Sequence, residues 1–179
     1  MEETISRQII HEGRALKLYI DTVRTVDARI STREIVVHDD CIAIVAVDQD
    51  ENLLLVRQFR KAVNKELLEI PAGGIDSGES PEQAVEREMR EETGFRPRTI
   101  KRLGGFYSAP GYSSEFLYLF LAKDLVPDPL SADDTPGIEV VRASADKVID
   151  MITSGEIRDS KSIAGLLQYL FLFKRIYRT

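Results

Sequence analysis

Tryptophan is absent from the chain, cysteine occurs once, and only two histidines are present. A single cysteine excludes an internal disulfide and a cysteine cluster for zinc. His11 and His38 show no metal-ligand spacing of the H-E-x-x-H kind. Cys41 opens the apolar run 41–47, where we expect a buried thiol rather than a nucleophile.

Long apolar runs and an excess of basic residues are also missing. The longest apolar stretch near the C-terminus, residues 163–173, is interrupted by Gly165 and Gln168 and is too short to cross a bilayer. A net charge of −6 argues against the basic stripe with which proteins displace counterions from nucleic acids. The first four residues lack the basic-then-apolar pattern of a signal peptide. We therefore expect a soluble, cytoplasmic protein that binds neither membranes nor nucleic acids.

The composition indicates one compact domain with an apolar core, since 43% of the residues are hydrophobic. Apolar periodicity predicts two N-terminal strands that pair, a series of short strands after them, and three helices. The predicted strands cover 15–23, 29–38, 41–47, 53–59, 67–70, 105–107, 116–122 and 138–141, and the predicted helices cover 81–93, 145–154 and 161–176. This order predicts the α+β class, with a mixed sheet between helices in α/β/α layers and an N-terminal antiparallel strand region.

The helix predicted at 81–93 has the clearest boundaries. Ser80 is a suitable N-cap, and Pro81 suits the first helical position. Gln83 completes a capping box with the N-cap serine. Gly94 provides a stop at the C-terminal end.

This helix concentrates carboxylates beside its apolar stripe. Residues 73–95 contain seven acidic residues and two basic ones. At about 100° per residue, Glu88, Glu91 and Glu92 fall on one side of the helix, next to the stripe. Like charges at spacings of three and four residues cost about 0.2–0.5 kcal/mol per pair.

Basic partners are available for only some of these carboxylates. Glu91 lies within reach of Arg87, and Glu86 lies within reach of Arg90 on the outer face. Within the helix, the other two glutamates of the group have no basic residue three or four positions away. A hard divalent cation such as Mg²⁺ would remove their repulsion. An ordinary solvated acidic face explains the same composition, so the charges alone leave both interpretations open.

The residues around the helix match a longer pattern. Gly73, Glu79 and the run Arg87–Phe95 reproduce G-x5-E-x7-R-E-U-x-E-E-x-G-U, in which U is an apolar residue. Every specified position is matched. By this motif the chain resembles the Nudix hydrolases, closely over the motif and more loosely from about residue 15 to residue 170. Gly73 and Gly74 permit a close approach of the backbone.

The resemblance implies a site for Mg²⁺ or Mn²⁺ on this helix. Glu88 and Glu92 would be the main carboxylate ligands, and Glu91 a further ligand or a partner of metal-bound water. The backbone carbonyl of Ala72 would be another ligand. Two residues would support the carboxylates: Glu79 beside the cluster, and Arg87, which would orient them by charge-assisted hydrogen bonds. A simple surface pair with Glu91 is the alternative for Arg87.

Segments outside the motif resemble the ADP-ribose pyrophosphatase branch of this family. They are Val56–Arg60, Glu69–Gly73 and Pro110, which follows Gly94 by 16 residues. The branch implies Mg²⁺-dependent hydrolysis of ADP-ribose, or of a related nucleoside diphosphate sugar, to a nucleoside monophosphate and a sugar phosphate. The substrate-binding residues that it implies are Arg60, Arg57, Glu69, Pro110 and Glu115. Residues three apart in a strand point to opposite faces, so at most one arginine is expected in the site, and Arg60 is favoured.

The general base and the adenine-stacking residue are not assigned by the resemblance. The branch often places its base in an acidic loop before the last strand, where the candidates are Asp133, Asp134 and Glu139. Tyr19 and Phe59 are the candidates for stacking on the base of the nucleotide.

Members of this branch are commonly homodimers whose N-terminal strands cross over to the partner. Residues 1–40 are therefore predicted to form a strand region with a possible crossover, and residues 41–179 a Nudix hydrolase domain. Two other functions stay open. One is a Nudix reaction on another nucleotide sugar or an oxidised nucleoside triphosphate. The other is a catalytically silent nucleotide sensor, which usually lacks motif glutamates that are all present here.

Overall fold

The computed structural model describes residues 1–131 and 137–174, and they divide into two compact units. The first unit contains residues 1–40 and 106–116, and the second contains the rest. The strands are β1 (Glu3–Glu12), β2 (Leu16–Arg24), β3 (Ile30–His38), β4 (Cys41–Val47), β5 (Leu53–Arg60), β6 (Lys65–Glu69), β7 (Ala72–Gly74), β8 (Phe95–Tyr107), β9 (Phe116–Pro127) and β10 (Glu139–Ala143). The helices are α1 (Pro81–Thr93), α2 (Ala145–Thr153) and α3 (Ser160–Tyr169), followed by a π-helical turn, Leu170–Lys174.

The first unit is a three-stranded antiparallel sheet in the order β1-β2-β3. The predicted strands correspond to β2 and β3, whereas β1 was not predicted. The register of β1 against β2 shifts between Thr4 and Ser6 and again between Ile9 and His11. Such bulges break the two-residue alternation by which a strand is detected in a sequence. Every residue of β1 is exposed.

The second unit contains a seven-stranded sheet in the order β10-β5-β4-β9-β8, with β6 on β5 and β7 on β4. β4 and β9 pair in parallel, whereas β4 pairs antiparallel with β5 and with β7, so the sheet is mixed, as predicted. β4 lies in its middle, and all seven of its residues are buried. Strands covered on both faces read as continuous apolar runs, which explains the run that begins at Cys41.

Helices cover both faces of this sheet. On one face, Ile42 and Ile44 pack in a buried cluster with Val85 and Met89 of α1. On the other face, Gly165 of α3 approaches so closely that a Cβ atom there would lie 2.9 Å from a methyl group of Leu119 in β9. The predicted α/β/α layers are therefore confirmed.

Some boundaries differ from the predictions for local reasons. β7 was missed because three residues are too few to show a period. The last helix was predicted to run from 161 to 176, but α3 ends at Tyr169 and a π-helical turn follows. No helix within residues 1–131 and 137–174 is long and apolar enough to cross a membrane.

Candidate active site

The start and end of α1 are set by its own sequence. The Ser80 hydroxyl accepts a hydrogen bond from the Gln83 backbone N–H, and the Gln83 side chain accepts one from the Ser80 N–H, as the predicted capping box requires. Gly94 ends the helix in the left-handed conformation, and its N–H is bonded to the carbonyl of Arg90. With both ends fixed, the rotation of the helix follows from its apolar stripe, because Val85 and Met89 are completely buried.

That rotation brings two of the motif glutamates into the protein. Glu88 is 9% exposed and Glu92 is 8% exposed. Glu92 accepts a hydrogen bond of 3.0 Å from the backbone N–H of Ala72 in β7. Carboxylates are almost never buried to this extent unless they are paired. The helix therefore places them in a protein-lined position rather than on a solvated face.

Arg87 connects three carboxylates of the motif. Its guanidinium donates to both oxygens of Glu79 at 3.0 and 2.9 Å. It also donates to Glu88 at 2.6 Å and to Glu91 at 3.2 Å. A fifth hydrogen bond goes to the carbonyl of Gly74 at 2.8 Å. Arg87 thus contacts three glutamates and is not a simple surface pair with Glu91.

Two expectations about charge pairs on this helix were wrong. Glu88 was expected to have no basic partner, but it pairs with Arg87, the residue directly before it. Side chains at adjacent positions of a helix do not normally face each other. Here both turn toward the segment before α1, where Gly74 binds the same guanidinium. Arg90 was expected to pair with Glu86, and it bonds instead to Asp128 after β9.

The backbone of β7 lies directly against these glutamates. A Cβ atom on Gly73 would lie 1.9 Å from Oε1 of Glu88 and 2.1 Å from its carboxyl carbon. Any side chain here would collide with the carboxylate, so glycine is required for the observed contact. A Cβ atom on Gly74 would meet nothing within 4 Å. The close approach predicted for this pair therefore applies to the first glycine only.

Burial raises the pKa values of Glu88 and Glu92, the two inner glutamates of the helix. Loss of hydration raises the pKa of Glu92 to about 8, although the Ala72 N–H favours the charged form. Burial also raises the pKa of Glu88 to about 6, against the opposing effect of Arg87. For Glu79, burial alone would raise the pKa, but the hydrogen bonds from Arg87 hold it below its usual value. The free-energy cost of ionising a buried carboxylate is therefore least compensated at Glu88 and Glu92.

A second buried polar group lies at the end of β6 and was only partly foreseen. Glu69 is 1% exposed and accepts hydrogen bonds from Arg60 at 2.8 and 2.7 Å and from Lys161. Lys161 also pairs with Asp159 at 3.0 Å. Burial alone would raise the pKa of Glu69, but the two cations hold it below its usual value. Glu69 and Arg60 were expected to be substrate residues, whereas Lys161 and Asp159 were missed. The one signal for them is the Asp-x-x-Ser pattern of an N-cap at the start of α3.

The remaining candidates of the second unit lie at β5 and β10. Arg57 is paired in register with Glu139, and their side chains are 3.6 Å apart. The Glu139 side chain is 70% exposed. The candidates Asp133 and Asp134 lie outside the residues that the structure describes. Phe59, proposed for stacking, is 55% exposed.

Three candidates belong to the first unit. Pro110 is exposed in a turn. Glu115 is partly buried, and its carboxylate lies 3.8 Å from His38. Tyr19, the other candidate for stacking, has the Arg7 guanidinium 4.6 Å from its ring centre, so one face of the ring is already covered.

A hard divalent cation fits the group on α1. Glu88 and Glu92 offer carboxylate oxygens that are buried from water. Glu91 is connected to Glu88 because Arg87 pairs with both carboxylates. The glycine contact leaves the Ala72–Gly73 backbone against the same carboxylates. An all-oxygen set of this kind suits Mg²⁺ and Mn²⁺.

Comparisons with known proteins identify the family of the chain. The family model of the NUDIX domain matches residues 37–165. The chain is 34% identical over 173 residues to an ADP-ribose pyrophosphatase of Bacillus subtilis, covering 96% of this chain and 93% of that protein. It is 38% identical over 172 residues to an ADP-ribose pyrophosphatase of Mycobacterium tuberculosis, covering 92% and 81%. The crystal structure of an ADP compounds hydrolase shares the fold, with a TM-score of 0.88 at 22% identity over 99% of this chain and 97% of that one. The chain therefore belongs to the Nudix family, and the resemblance found in residues 73–95 is confirmed.

Proposed function

We propose that the protein hydrolyses the diphosphate bond of ADP-ribose, or of a related nucleoside diphosphate sugar, with Mg²⁺ as its metal ion. The observation that carries the proposal is the pair of buried carboxylates, Glu88 and Glu92, held against the backbone at Gly73. Relatives named ADP-ribose pyrophosphatase that cover most of the chain support the choice of substrate. The products would be a nucleoside monophosphate and a sugar phosphate.

In this proposal the α1 glutamates hold the metal ion. Glu88, Glu92, Glu91 and the carbonyl of Ala72 would bind it, with Mn²⁺ as an alternative to Mg²⁺. A bound divalent ion neutralises diphosphate oxygens and lowers the pKa of the attacking water. Arg87 keeps the carboxylates in one arrangement through its bonds to Glu79, Glu88 and Glu91. Mn²⁺ shares the same ligand chemistry, so a metal series is needed to separate the two ions.

Other residues would position the substrate and move the proton. Arg60 is the favoured source of the positive charge that a diphosphate requires, with Arg57 as the alternative and Glu69 beside Arg60. Pro110 and Glu115 stay candidates for substrate contacts. Arg60 already uses Nε and Nη2 to bind Glu69, so its role includes fixing that carboxylate. Glu139, which is exposed at the start of β10, is a candidate for the base that takes a proton from water.

Product analysis tests the proposal. The protein is incubated with ADP-ribose, a panel of nucleotide sugars and several nucleoside triphosphates, each with MgCl₂ and with EDTA. We expect AMP and ribose 5-phosphate from ADP-ribose only when Mg²⁺ is present. Glu92→Gln serves as the inactive variant, and Glu82→Gln, which changes an exposed glutamate of the same helix, serves as its matched control.

The outcomes separate the alternatives within and outside catalysis. Turnover confined to another nucleotide sugar, or release of pyrophosphate from a nucleoside triphosphate, would keep the metal site and replace the substrate. A protein that binds Mg²⁺ and ADP-ribose but cleaves nothing in the panel would be a sensor. No motif glutamate is replaced in this chain, which supports the enzyme.

The proposal also includes a homodimer. In it, residues 1–40 of one subunit would cross over to the other subunit, and the Nudix domain would begin at residue 41. Supporting it, β1 exposes Ile5, Ile9 and Ile10, which a partner could cover. Light scattering on the full chain would measure the mass. A cytoplasmic location belongs to the same proposal, supported by the single cysteine of the sequence, since disulfides are rare in reducing compartments.

A further inference from the structure

The first turn of α3 is tied to the metal-site backbone by a chain of buried polar contacts. Ser162 is completely buried, and its hydroxyl donates to Asp159 at 2.5 Å. The same hydroxyl accepts a hydrogen bond of 2.8 Å from the backbone N–H of Ile70. Ser162 therefore binds Asp159, the N-cap of its own helix, and also holds a segment that is 92 positions away in the chain.

The segment it holds leads directly to the proposed metal ligands. Between Glu69 and Ala72, proline at position 71 has no N–H, so Ile70 supplies the only backbone donor. The carbonyl of Pro71 accepts a bond of 2.9 Å from the N–H of Ile44 in β4. The next N–H, that of Ala72, reaches Glu92. The backbone is thus fixed by α3, by β4 and by α1 at three successive residues.

Lys161 holds the same segment by charge. Its side chain is 12% exposed, and its ammonium group lies between Glu69 and Asp159. Glu69 is also bonded twice by Arg60, so its position is fixed from two sides. Removing one partner of a buried pair leaves an uncompensated charge, which destabilises the group.

We propose that Lys161 and Ser162 are positioning residues for the metal site. They hold residues 69–72 so that the Ala72–Gly73 backbone meets Glu92 and Glu88 in the binding arrangement. The proposal rests on the proposed function only through the metal site, and it is independent of the substrate. Residues that orient metal ligands from behind typically change metal affinity or activity by about 10- to 100-fold when they are removed.

Binding of Mn²⁺ to the full chain without substrate, followed by the electron paramagnetic resonance signal of free Mn²⁺, tests the proposal. We expect Lys161→Met and Ser162→Ala each to bind Mn²⁺ about tenfold more weakly than the wild type. Lys161→Arg, which keeps the positive charge, should recover most of the affinity. Lys123→Met is the control, because it breaks an ion pair with Glu51 that is not part of this group, and it should bind like the wild type.

Each result decides one of the two proposals. Wild-type affinity in Ser162→Ala would overturn the positioning role, and so would a loss in Lys161→Met that Lys161→Arg does not restore. An equal loss in Lys123→Met would overturn it as well, because the effect would then be unspecific. If the wild type itself binds no Mn²⁺, the proposed metal site fails. If it binds Mn²⁺ but leaves ADP-ribose intact, only the proposed substrate fails.

Discussion

Replacement of Gly73 by alanine offers the most direct test of the contact between β7 and α1. The new Cβ atom would lie 1.9 Å from Oε1 of Glu88, whereas ordinary contact begins at 3.4 Å. The carboxylate must therefore move by about 1.5 Å. A misplacement of about 1 Å in a reacting group costs about 100-fold in rate. We expect kcat/KM of Gly73→Ala to fall by at least this factor.

The same substitution should leave the fold intact. Gly73 does not have a positive φ, so alanine adopts its backbone conformation. The colliding atoms are the far end of a flexible side chain, which can swing away. A lost charge-assisted bond to Arg87 costs about 1.5–3 kcal/mol, and the lower entropy of the unfolded chain returns about 0.4–1 kcal/mol. The free energy of unfolding in EDTA should thus fall by about 0.5–2.6 kcal/mol.

Two measurements on two variants decide the matter. Hydrolysis with Mg²⁺ gives kcat/KM, and urea unfolding with EDTA or MgCl₂ gives stability and its response to the metal. Gly74→Ala is the neighbouring control, because a Cβ atom there meets nothing within 4 Å. Unchanged activity and an unchanged Mg²⁺ response in Gly73→Ala would refute the assignment of Glu88 to the site. Equal losses in both variants would show that the contact itself is not the cause.

Three further predictions concern the charges of the site. Glu92→Gln should abolish turnover yet stabilise the metal-free protein at pH 8.5 by about 1–3 kcal/mol, as measured by urea unfolding. The reason is that the buried charge is removed, while the acceptor for the Ala72 N–H stays. A loss of stability would contradict this. Arg87→Lys should lower kcat at least tenfold, because an ammonium group cannot span Glu79 and Glu88 as the guanidinium does; unchanged kinetics would exclude an orienting role. The pKa values of Glu88 and Glu92 are raised to about 6 and about 8. Without metal, their contribution to the free energy of unfolding is therefore present at acid pH and lost as the pH rises through these values. Mg²⁺ must displace the protons of these glutamates in order to bind. Calorimetry should therefore show that the Kd for Mg²⁺ rises by up to about tenfold for each pH unit below 8. A Kd that does not change between pH 8 and pH 6 would refute the reasoning.

The features predicted correctly from the sequence are those fixed by short-range chemistry. The bounds of α1 follow from Ser80, Pro81 and Gly94, all within one turn of its ends. The burial of β4 follows from its unbroken apolar run. The side of α1 that faces the protein follows from helical spacing, which places the inner glutamates beside Met89.

The features that were missed depend on contacts between distant residues. Glu69 and Lys161 are 92 positions apart, and neither shows a local sign of the other. The pairing of Glu88 with Arg87 contradicts the spacing rule for helices, which applies to contacts within one helix. Here the guanidinium also binds the carbonyl of Gly74, which lies outside the helix. β1 escaped detection because its bulges disturb the alternation. Sequence spacing was thus sufficient to locate the carboxylates. The residues that hold them in place could be identified only from the folded structure.

The two buried carboxylate groups of the second unit show where a metal ion is needed. Glu69 is almost fully buried, yet its pKa lies below the usual value, because Arg60 and Lys161 supply two positive charges for Glu69 and Asp159. Glu92 is buried to a similar extent, and its pKa is raised to about 8, because one backbone N–H does not replace its lost hydration. Burial is therefore compensated by side chains at the first group and left uncompensated at the second. Only the second gains from an added divalent cation, so Mg²⁺ should stabilise the protein through α1 and leave the Glu69 group unchanged.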